Sequence, residues 1–89
     1  MSAEKSFHIE VLSPSKVIFE GDIASLVVPA KLGYLGVLAD HAPLAAALSK
    51  GNIIIRDSSG KVTKLISSGS GFLEVLNNHV SVLLDSSSN

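Results

Sequence analysis

Hydrophobic and polar positions alternate along most of the chain with the two-residue period of β-strands. Near the start, Phe7, Ile9 and Val11 alternate with His8 and Glu10, which predicts a strand with one buried and one solvated face. Similar short stretches recur about every 8–12 residues, separated by Gly, Pro, Asn, Asp and Ser. The pattern therefore predicts roughly seven or more short strands and no amphipathic helix, which is typical of an antiparallel β-sandwich or barrel.

Residues 31–43 depart from this alternation. Glycine, aspartate and proline interrupt the segment every few residues, and apolar side chains stand between them. We expect an apolar loop here, which is unusual because most loops are polar. Tyr34 and Leu35 either cap the open end of the sandwich or form an exposed apolar tip, and an exposed tip would mark a docking site.

Later segments show strand and turn signals. Residues 44–48 fit either a strand or one helical turn, because Ala is frequent there. The three consecutive isoleucines 53–55 predict a strand buried on both faces. Residues 57–60 predict a hairpin loop, and the Asn pair 77–78 predicts a tight hairpin before a last strand.

Composition limits the classes of protein that this chain can be. The 89 residues suit one domain, and we assign residues 1–85 to a sandwich and residues 86–89 to a polar tail. The absence of Cys excludes disulfides and Cys-based metal sites. The net charge of −1 offers no footprint for nucleic acid. Apolar runs are too short to span a membrane, and the polar start predicts no signal peptide. Only 17% of the residues are charged, which suggests that partners cover apolar surface.

No motif indicates catalysis. The Ser-Gly-Ser-Gly run at 68–71 lacks the spacing of a nucleophile elbow and reads as a turn or bulge. We therefore predict no catalytic, metal-binding or cofactor-binding residues. The acidic residues fit separate outward positions, with no pairing that suggests acid–base chemistry; they are Glu10, Glu20, Asp22 and Glu74.

The three histidines allow different roles. His8 and His79 occupy polar positions of the first and last strand patterns. They are either solvated strand residues or, if a carboxylate converges on them, metal ligands. His41 either hydrogen-bonds the loop backbone or contacts a partner.

Several stretches together resemble one family. Residues 33–44, GYLGVLADHAPL, are similar to the glycine-containing segment ending in His-Ala-Pro-Leu of the ATP synthase epsilon subunit. Residues 68–75 resemble the family's S-G-G-F-L-E-V stretch with one extra residue, and residues 78–85 resemble its N-x-V-x-V-L-A-D strand. The matching stretches follow the same order as in the family and extend from about residue 7 to residue 85.

The resemblance implies a β-sandwich of about ten strands and a non-catalytic rotor subunit of the central stalk. Such a subunit joins the gamma subunit to the polar loops of the c-ring, and so couples ring rotation driven by proton flow to ATP synthesis. It also implies no cofactor, no direct membrane insertion and a monomer when isolated. The expected location is the cytoplasmic face of the bacterial inner membrane, or the equivalent face of an organelle membrane.

Family contacts carry over to matching positions. The residues matching the c-ring contact are Leu32, Gly33, Tyr34 and Leu35. The residues matching the gamma contact are Ser13, His41, Ala42 and Pro43. Leu32 and Tyr34 stand where the family often has acidic residues, so apolar packing would have to replace a charge pair with the ring.

The longer family members carry a two-helix hairpin after the sandwich, which can inhibit ATP hydrolysis and in some members binds ATP. Residues 86–89 are too few for a helix, so we expect this chain neither to inhibit ATP hydrolysis nor to bind ATP.

The composition leaves two other classes of protein open. One is a free-standing binding module for a peptide or carbohydrate, and the other is a small enzyme, for which no convergent titratable groups are evident.

Overall fold

The computed structural model describes residues 5–85, and these form nine β-strands and no helix. The predicted tail at 86–89 lies outside the described residues. Each strand is a short run of alternating or β-branched residues that ends at a turn-forming residue. The strands are β1 (Phe7–Leu12), β2 (Val17–Ile23), β3 (Ser25–Ala30), β4 (Gly33–Val37), β5 (Leu44–Ala47), β6 (Lys50–Arg56), β7 (Val62–Ser68), β8 (Gly71–Leu76) and β9 (His79–Leu84).

Two sheets form the sandwich, which confirms the predicted all-β, two-sheet architecture. The five-stranded sheet has the order β2-β1-β9-β8-β5, and the four-stranded sheet has the order β4-β3-β6-β7. All pairings are antiparallel except that of β1 with β9, which is parallel. The first and last strands therefore lie side by side within the larger sheet.

The core lies between the sheets and is built from one face of each strand. In β1, for example, Phe7, Ile9 and Val11 are buried while the residues between them are partly exposed, because successive side chains of a strand point to opposite faces. Burying each such side chain contributes about 1.5–3 kcal/mol. The largest fully buried side chains are Ile9, Val11, Ile23, Leu26, Val28, Val37, Leu48, Ile53, Ile55, Leu73, Val80 and Val82.

The structure corrects two expectations. Residues 31–43 are not one long loop, because Gly33–Val37 forms β4 and pairs with β3 in a hairpin. The inward side chains of β4 explain the apolar composition, since Val37 is buried in the core and Leu35 packs against it. The strand with three isoleucines is buried on one face only, because Ile54 is partly exposed on the outer side of the four-stranded sheet.

The predicted turns are present. The Asp57 Oδ1 atom accepts hydrogen bonds from the backbone N–H groups of Ser59 and Lys61, at 2.9 and 3.0 Å, and closes the loop between β6 and β7. Asn77 and Asn78 have φ angles of 50° and 62° in the β8–β9 turn, a conformation that Asn tolerates better than most residues. The alternative for 44–48 is resolved in favour of a strand, β5.

Candidate partner-binding surfaces

The sandwich has two ends along the strand direction. At one end β1, β5 and β9 finish, and the β3–β4 hairpin packs beside them. We call this end, which includes the β3–β4 turn at residues 31–32, the Leu32 end; there the Lys31 backbone N–H donates to the Ala47 carbonyl at 3.3 Å. We call the opposite end, which includes the β4–β5 connection and the β8–β9 turn, the His41 end; there the Asp40 N–H donates to Asn78 Oδ1 at 2.6 Å.

The tip of the β3–β4 hairpin exposes large apolar side chains. Leu32 is fully exposed, with 104% relative accessibility, and Tyr34 is 63% exposed. The Tyr34 hydroxyl accepts a hydrogen bond from the Asn52 N–H at 3.3 Å. Its phenol crosses Gly51, where an added Cβ would lie only 2.6 Å from Tyr34 Oη. The tip is therefore apolar, exposed and held in place by the four-stranded sheet.

The two readings of Tyr34 and Leu35 each apply to one of the residues. Tyr34 points outward and is exposed, whereas Leu35 points inward and packs against the core at the open side of the sandwich. Adjacent residues of a strand must face opposite ways, so the pair cannot share one role.

A groove separates the hairpin from β5. It encloses about 490 Å³ and is lined by residues 30–35 and 44–47. β4 and β5 are edge strands of their own sheets, and an edge strand can pair with an added segment. On the β5 side the groove is lined by Leu44 and the small side chains of Ala45, Ala46 and Ala47.

The residues matching the gamma contact lie at both ends of the molecule. Ser13 follows β1 in the turn at the Leu32 end, where its N–H donates to the Lys16 carbonyl at 2.9 Å. His41, Ala42 and Pro43 precede β5 at the His41 end. With about 3.3 Å per strand residue, these positions lie on the order of 15 Å apart along the strands.

The ring of His41 is engaged with the backbone. Its Nδ1 atom lies 2.7 Å from the Ala42 carbonyl oxygen, and the backbone N–H of His41 donates to the Leu38 carbonyl at 3.3 Å. Of the two alternatives for His41, the hydrogen bond to the loop backbone is present, and the partner contact stays a prediction. Ala42 and Pro43 beside it are exposed.

An apolar row crosses the outer face of the five-stranded sheet near the Leu32 end. It runs through all five strands by successive cross-strand pairs. Phe72, Leu83 and Val17 in this row are 44%, 47% and 55% exposed, so it is a continuous apolar strip facing solvent. The apolar row consists of Val17, Leu12, Leu83, Phe72 and Ala47.

Acidic and histidine side chains occupy the rest of that face. The next row, which we call the acidic row, pairs residues from all five strands and contains three glutamates. Beyond it, His8 pairs with Asp22 on one side and His79 on the other. The acidic row consists of Glu20, Glu10, Ser81, Glu74 and Ala45.

The two histidines bridge the carboxylates. His8 Nδ1 lies 3.0 Å from Asp22 Oδ1, and His8 Nε2 lies 3.1 Å from Glu20 Oε2. His79 Nε2 lies 3.3 Å from Glu10 Oε1, and the two imidazole rings are 5.4 Å apart. Hydrogen bonds to Asp22, and next to Glu20, raise the pKa of His8 above its usual value because they favour the imidazolium form.

The sequence pattern does not predict this cluster. It places the carboxylates at separate outward positions, whereas the structure brings three of them together around His8 and His79. The sequence does contain a partial signal for the cluster. His8 and Glu10 lie two residues apart and therefore on one face of β1, and Glu20 and Asp22 lie two residues apart and therefore on one face of β2. Within residues 5–85, however, no group of three or more His, Cys, Asp or Glu side chains is placed to hold a metal ion.

The outer face of the four-stranded sheet has the opposite charge. Its outward charged residues are Lys50, Arg56 and Lys64, and the β-strands place no carboxylate among them in the described part of the chain. Val62 and Ile66 are 56% and 50% exposed there. The two faces of the sandwich are thus acidic and basic.

The fold is a two-sheet β-sandwich with large apolar side chains exposed at the hairpin tip and along one sheet. In the described residues, no helix is long and apolar enough to cross a membrane. The chain belongs to the family described as the β-sandwich domain of the ATP synthase delta/epsilon chain, whose model matches residues 6–89. The family resemblance seen in the sequence is confirmed.

Bacterial relatives include proteins named ATP synthase epsilon chain. The relative from Leptospira interrogans is 41% identical over 85 residues, covering 96% of this chain and 65% of its own length. Those from Leptospira borgpetersenii and Synechocystis are 45% and 39% identical over 78 and 77 residues, which are 88% and 86% of this chain and 60% and 55% of theirs. The chain therefore spans less than two thirds of the length of these relatives.

Two solved structures share the fold. A chain of the Euglena gracilis mitochondrial ATP synthase, solved with OSCP, F1 and c-ring, superposes with a TM-score of 0.85 at 22% identity, over 91% of this chain and 51% of that one. A chain of the Tetrahymena thermophila mitochondrial ATP synthase central stalk and c-ring gives 0.76 at 14% identity, over 96% and 67%.

Proposed function

We propose that this chain is a non-catalytic rotor subunit in the central stalk of an F-type ATP synthase. In this role it couples c-ring rotation driven by proton flow to ATP synthesis. Family membership supports the proposal, and so does the architecture, because two sheets locked across one close-packed core transmit force with little deformation.

The exposed hairpin tip is the observation that carries this function. Leu32 is fully exposed at the Leu32 end, and its neighbour Tyr34 is anchored to β6 through its hydroxyl. An apolar side chain on a rigid support suits a permanent partner better than free solvent. We assign Leu32, Gly33, Tyr34 and Leu35 to the c-ring contact, with Leu35 supporting the tip from inside.

The gamma contact requires an elongated partner. Ser13 lies at the Leu32 end and residues 41–43 lie at the His41 end, so one partner reaches both only by lying along the five-stranded sheet. We assign Ser13, His41, Ala42 and Pro43 to this contact. A shaft that follows the sheet would hold the sandwich against rotation relative to the stalk.

These contacts also fix the proposed location. The chain sits as a peripheral subunit at the cytoplasmic face of the bacterial inner membrane, or at the equivalent face of an organelle membrane. It is held there by the c-ring and gamma, with no insertion of its own, and we expect a monomer when it is isolated.

The hairpin assignment is tested by replacing Leu32 and Tyr34 with Asp. We expect at least about tenfold weaker binding to a purified gamma–c-ring complex, since burying one such side chain is worth about 1.5–3 kcal/mol and about 1.4 kcal/mol is tenfold in affinity. ATP-driven proton pumping by the reassembled enzyme should fall in parallel.

The matched control is Val62→Asp, which places a carboxylate at a similarly exposed apolar site on β7. It should bind as the wild type does. Tyr34→Phe, which removes only the hydroxyl, reports on anchoring of the ring. Unchanged binding by the double Asp variant, with its fold verified by circular dichroism, would show that the ring contact lies elsewhere.

The groove between β4 and β5 supports the alternative of a free-standing binding module for a peptide or carbohydrate. A pull-down of the tagged chain from its own cell extract separates the two functions. Recovery of gamma with the catalytic subunits supports the rotor proposal. Recovery of an unrelated partner, without gamma, would support the module.

A further inference from the structure

We infer that the outer face of the five-stranded sheet docks a basic amphipathic protein helix, which places Lys or Arg over the acidic row and apolar side chains over the apolar row. The inference deepens the proposed function, because the face lies between the two ends that hold the assigned gamma contacts. It rests on that function only in taking gamma as the partner that supplies the helix.

The outer face of the five-stranded sheet carries a concentration of negative charge. Four of the chain's eight acidic residues point outward from this one sheet face. The outward strand positions of the same face carry no Lys or Arg in the described residues. The four carboxylates are those of Glu10, Glu20, Asp22 and Glu74. A concentration of one sign attracts the opposite sign and directs its approach.

The carboxylates of this face differ in what they contact within the sheet. Glu10 and Glu20 are direct cross-strand partners, and like charges placed opposite each other destabilise a sheet, but His79 contacts Glu10 and His8 bridges Glu20 and Asp22. Glu74 has Ser81 and Ala45 as its cross-strand neighbours, and neither carries a charge. Glu74 is therefore the carboxylate of the acidic row that is most available to a cation of a partner.

The dimensions of the face suit a single helix. The acidic row and the apolar row run side by side across five strands, a width of roughly 19 Å at about 4.8 Å per strand. A helix covers that distance with about 13 residues, at about 1.5 Å each. One side of such a helix would meet carboxylates while its adjacent side met Phe72, Leu83 and Val17. Two parallel strips of different chemistry match the two faces of an amphipathic helix.

A second copy of this chain is the competing occupant, because its four-stranded sheet presents Lys50, Arg56 and Lys64. These cations lie only on β6 and β7, so they do not form a strip that matches five strands. An association of one outer face with the other is also heterologous and does not close into a dimer. The helix fits the geometry better.

The test compares Glu74→Lys with the double variant Ser58→Lys/Val62→Lys, which changes the net charge by the same amount at the β6–β7 turn and on β7. Affinity for the gamma subunit of the same organism is measured at low and moderate salt. Glu74→Lys should bind about tenfold more weakly at low salt and show a shallower salt dependence. The control should stay within about twofold of wild type.

Each outcome separates this inference from the proposed function. Equal affinities for Glu74→Lys and the control would overturn the helix inference and leave gamma binding intact. If the wild type does not bind gamma, the proposed function fails, and a Lys/Leu amphipathic model peptide becomes the probe. Peptide binding by wild type but not by Glu74→Lys supports the inference, and no difference overturns it. Salt-sensitive self-association of wild type in sedimentation, lost in Glu74→Lys, would assign the face to a second copy instead.

Discussion

The outer faces of the two sheets differ in how they use apolar side chains. On the five-stranded sheet, exposed apolar residues join into one row across every strand, beside a row of carboxylates. On the four-stranded sheet, Val62 and Ile66 stand apart and alternate with Lys64 along β7. Scattered apolar residues are normal on a protein surface, whereas a continuous strip marks an interaction site. The outer face of the five-stranded sheet therefore has the features of an interaction surface, whereas the outer side of β7 has those of a solvated surface.

The largest expected effect separates the inward and outward sides of one strand. Leu73 is buried in the core, and its neighbour Phe72 is 44% exposed. Leu73→Ala should lower the free energy of unfolding by about 2–5 kcal/mol because it leaves a cavity, whereas Phe72→Ala should cost less than about 1 kcal/mol. Urea denaturation measures both. An equal loss in the two variants would mean that the apolar row stabilises the fold rather than a complex.

The second effect compares the two outer faces in binding. Phe72→Ala should weaken affinity for gamma about thirtyfold, since an apolar anchor near the centre of an interface is worth about 2 kcal/mol and about 1.4 kcal/mol is tenfold in affinity. Ile66→Ala, a truncation at a similarly exposed site on β7, should change it by less than about twofold. Titration calorimetry with purified gamma gives both values. Similar losses from the two variants would show that both faces are covered by the partner.

The smallest effect is a pH dependence confined to the acidic face. The pKa of His8 is raised by Asp22 and Glu20, so its contribution to stability is full below its unfolded pKa of about 6.5 and is lost as pH rises through the folded value. The melting temperature should therefore include a component that is fully present below about pH 6.5 and declines as the pH rises through the folded pKa of His8. His8→Asn should remove this component.

His41→Asn is the control for the pH experiment, because the His41 ring contacts a backbone carbonyl rather than a carboxylate. The decline should persist in that variant. A slope that survives His8→Asn would transfer the effect to another group, and the His8 bridge would then contribute nothing measurable.

Local patterns in the sequence were sufficient to predict most strands and turns. The alternation of Phe7, Ile9 and Val11 predicts which side of β1 is buried, and Asn77 with Asn78 predicts a turn from backbone preference alone. Both depend on residues close together in sequence. The family resemblance was carried by similarly local segments, such as the run at 33–44.

Pairing across long distances could not be predicted in the same way. A two-residue period shows which face a side chain occupies but not which strand lies beside it, so the contact of His8 with His79 had no signature. The same limit applied to Ile54, whose partial exposure reflects that residues 5–85 place no third layer over the four-stranded sheet. Leu32 and Ser13 were assigned through the resemblance, and their roles as contacts remain predictions.

The parallel pairing of β1 with β9 has a consequence for how the chain folds. β9 is the only link between the β1–β2 hairpin and the β8–β5 pair in the five-stranded sheet of the described residues, and of these five strands it is synthesised last. During synthesis, the β1–β2 hairpin and the β8–β5 pair cannot join into one sheet until residues 79–84 emerge from the ribosome. Such a high-contact-order closure is slow, and it leaves strand edges of the nascent chain open to chaperones and to mispairing until the final strand inserts.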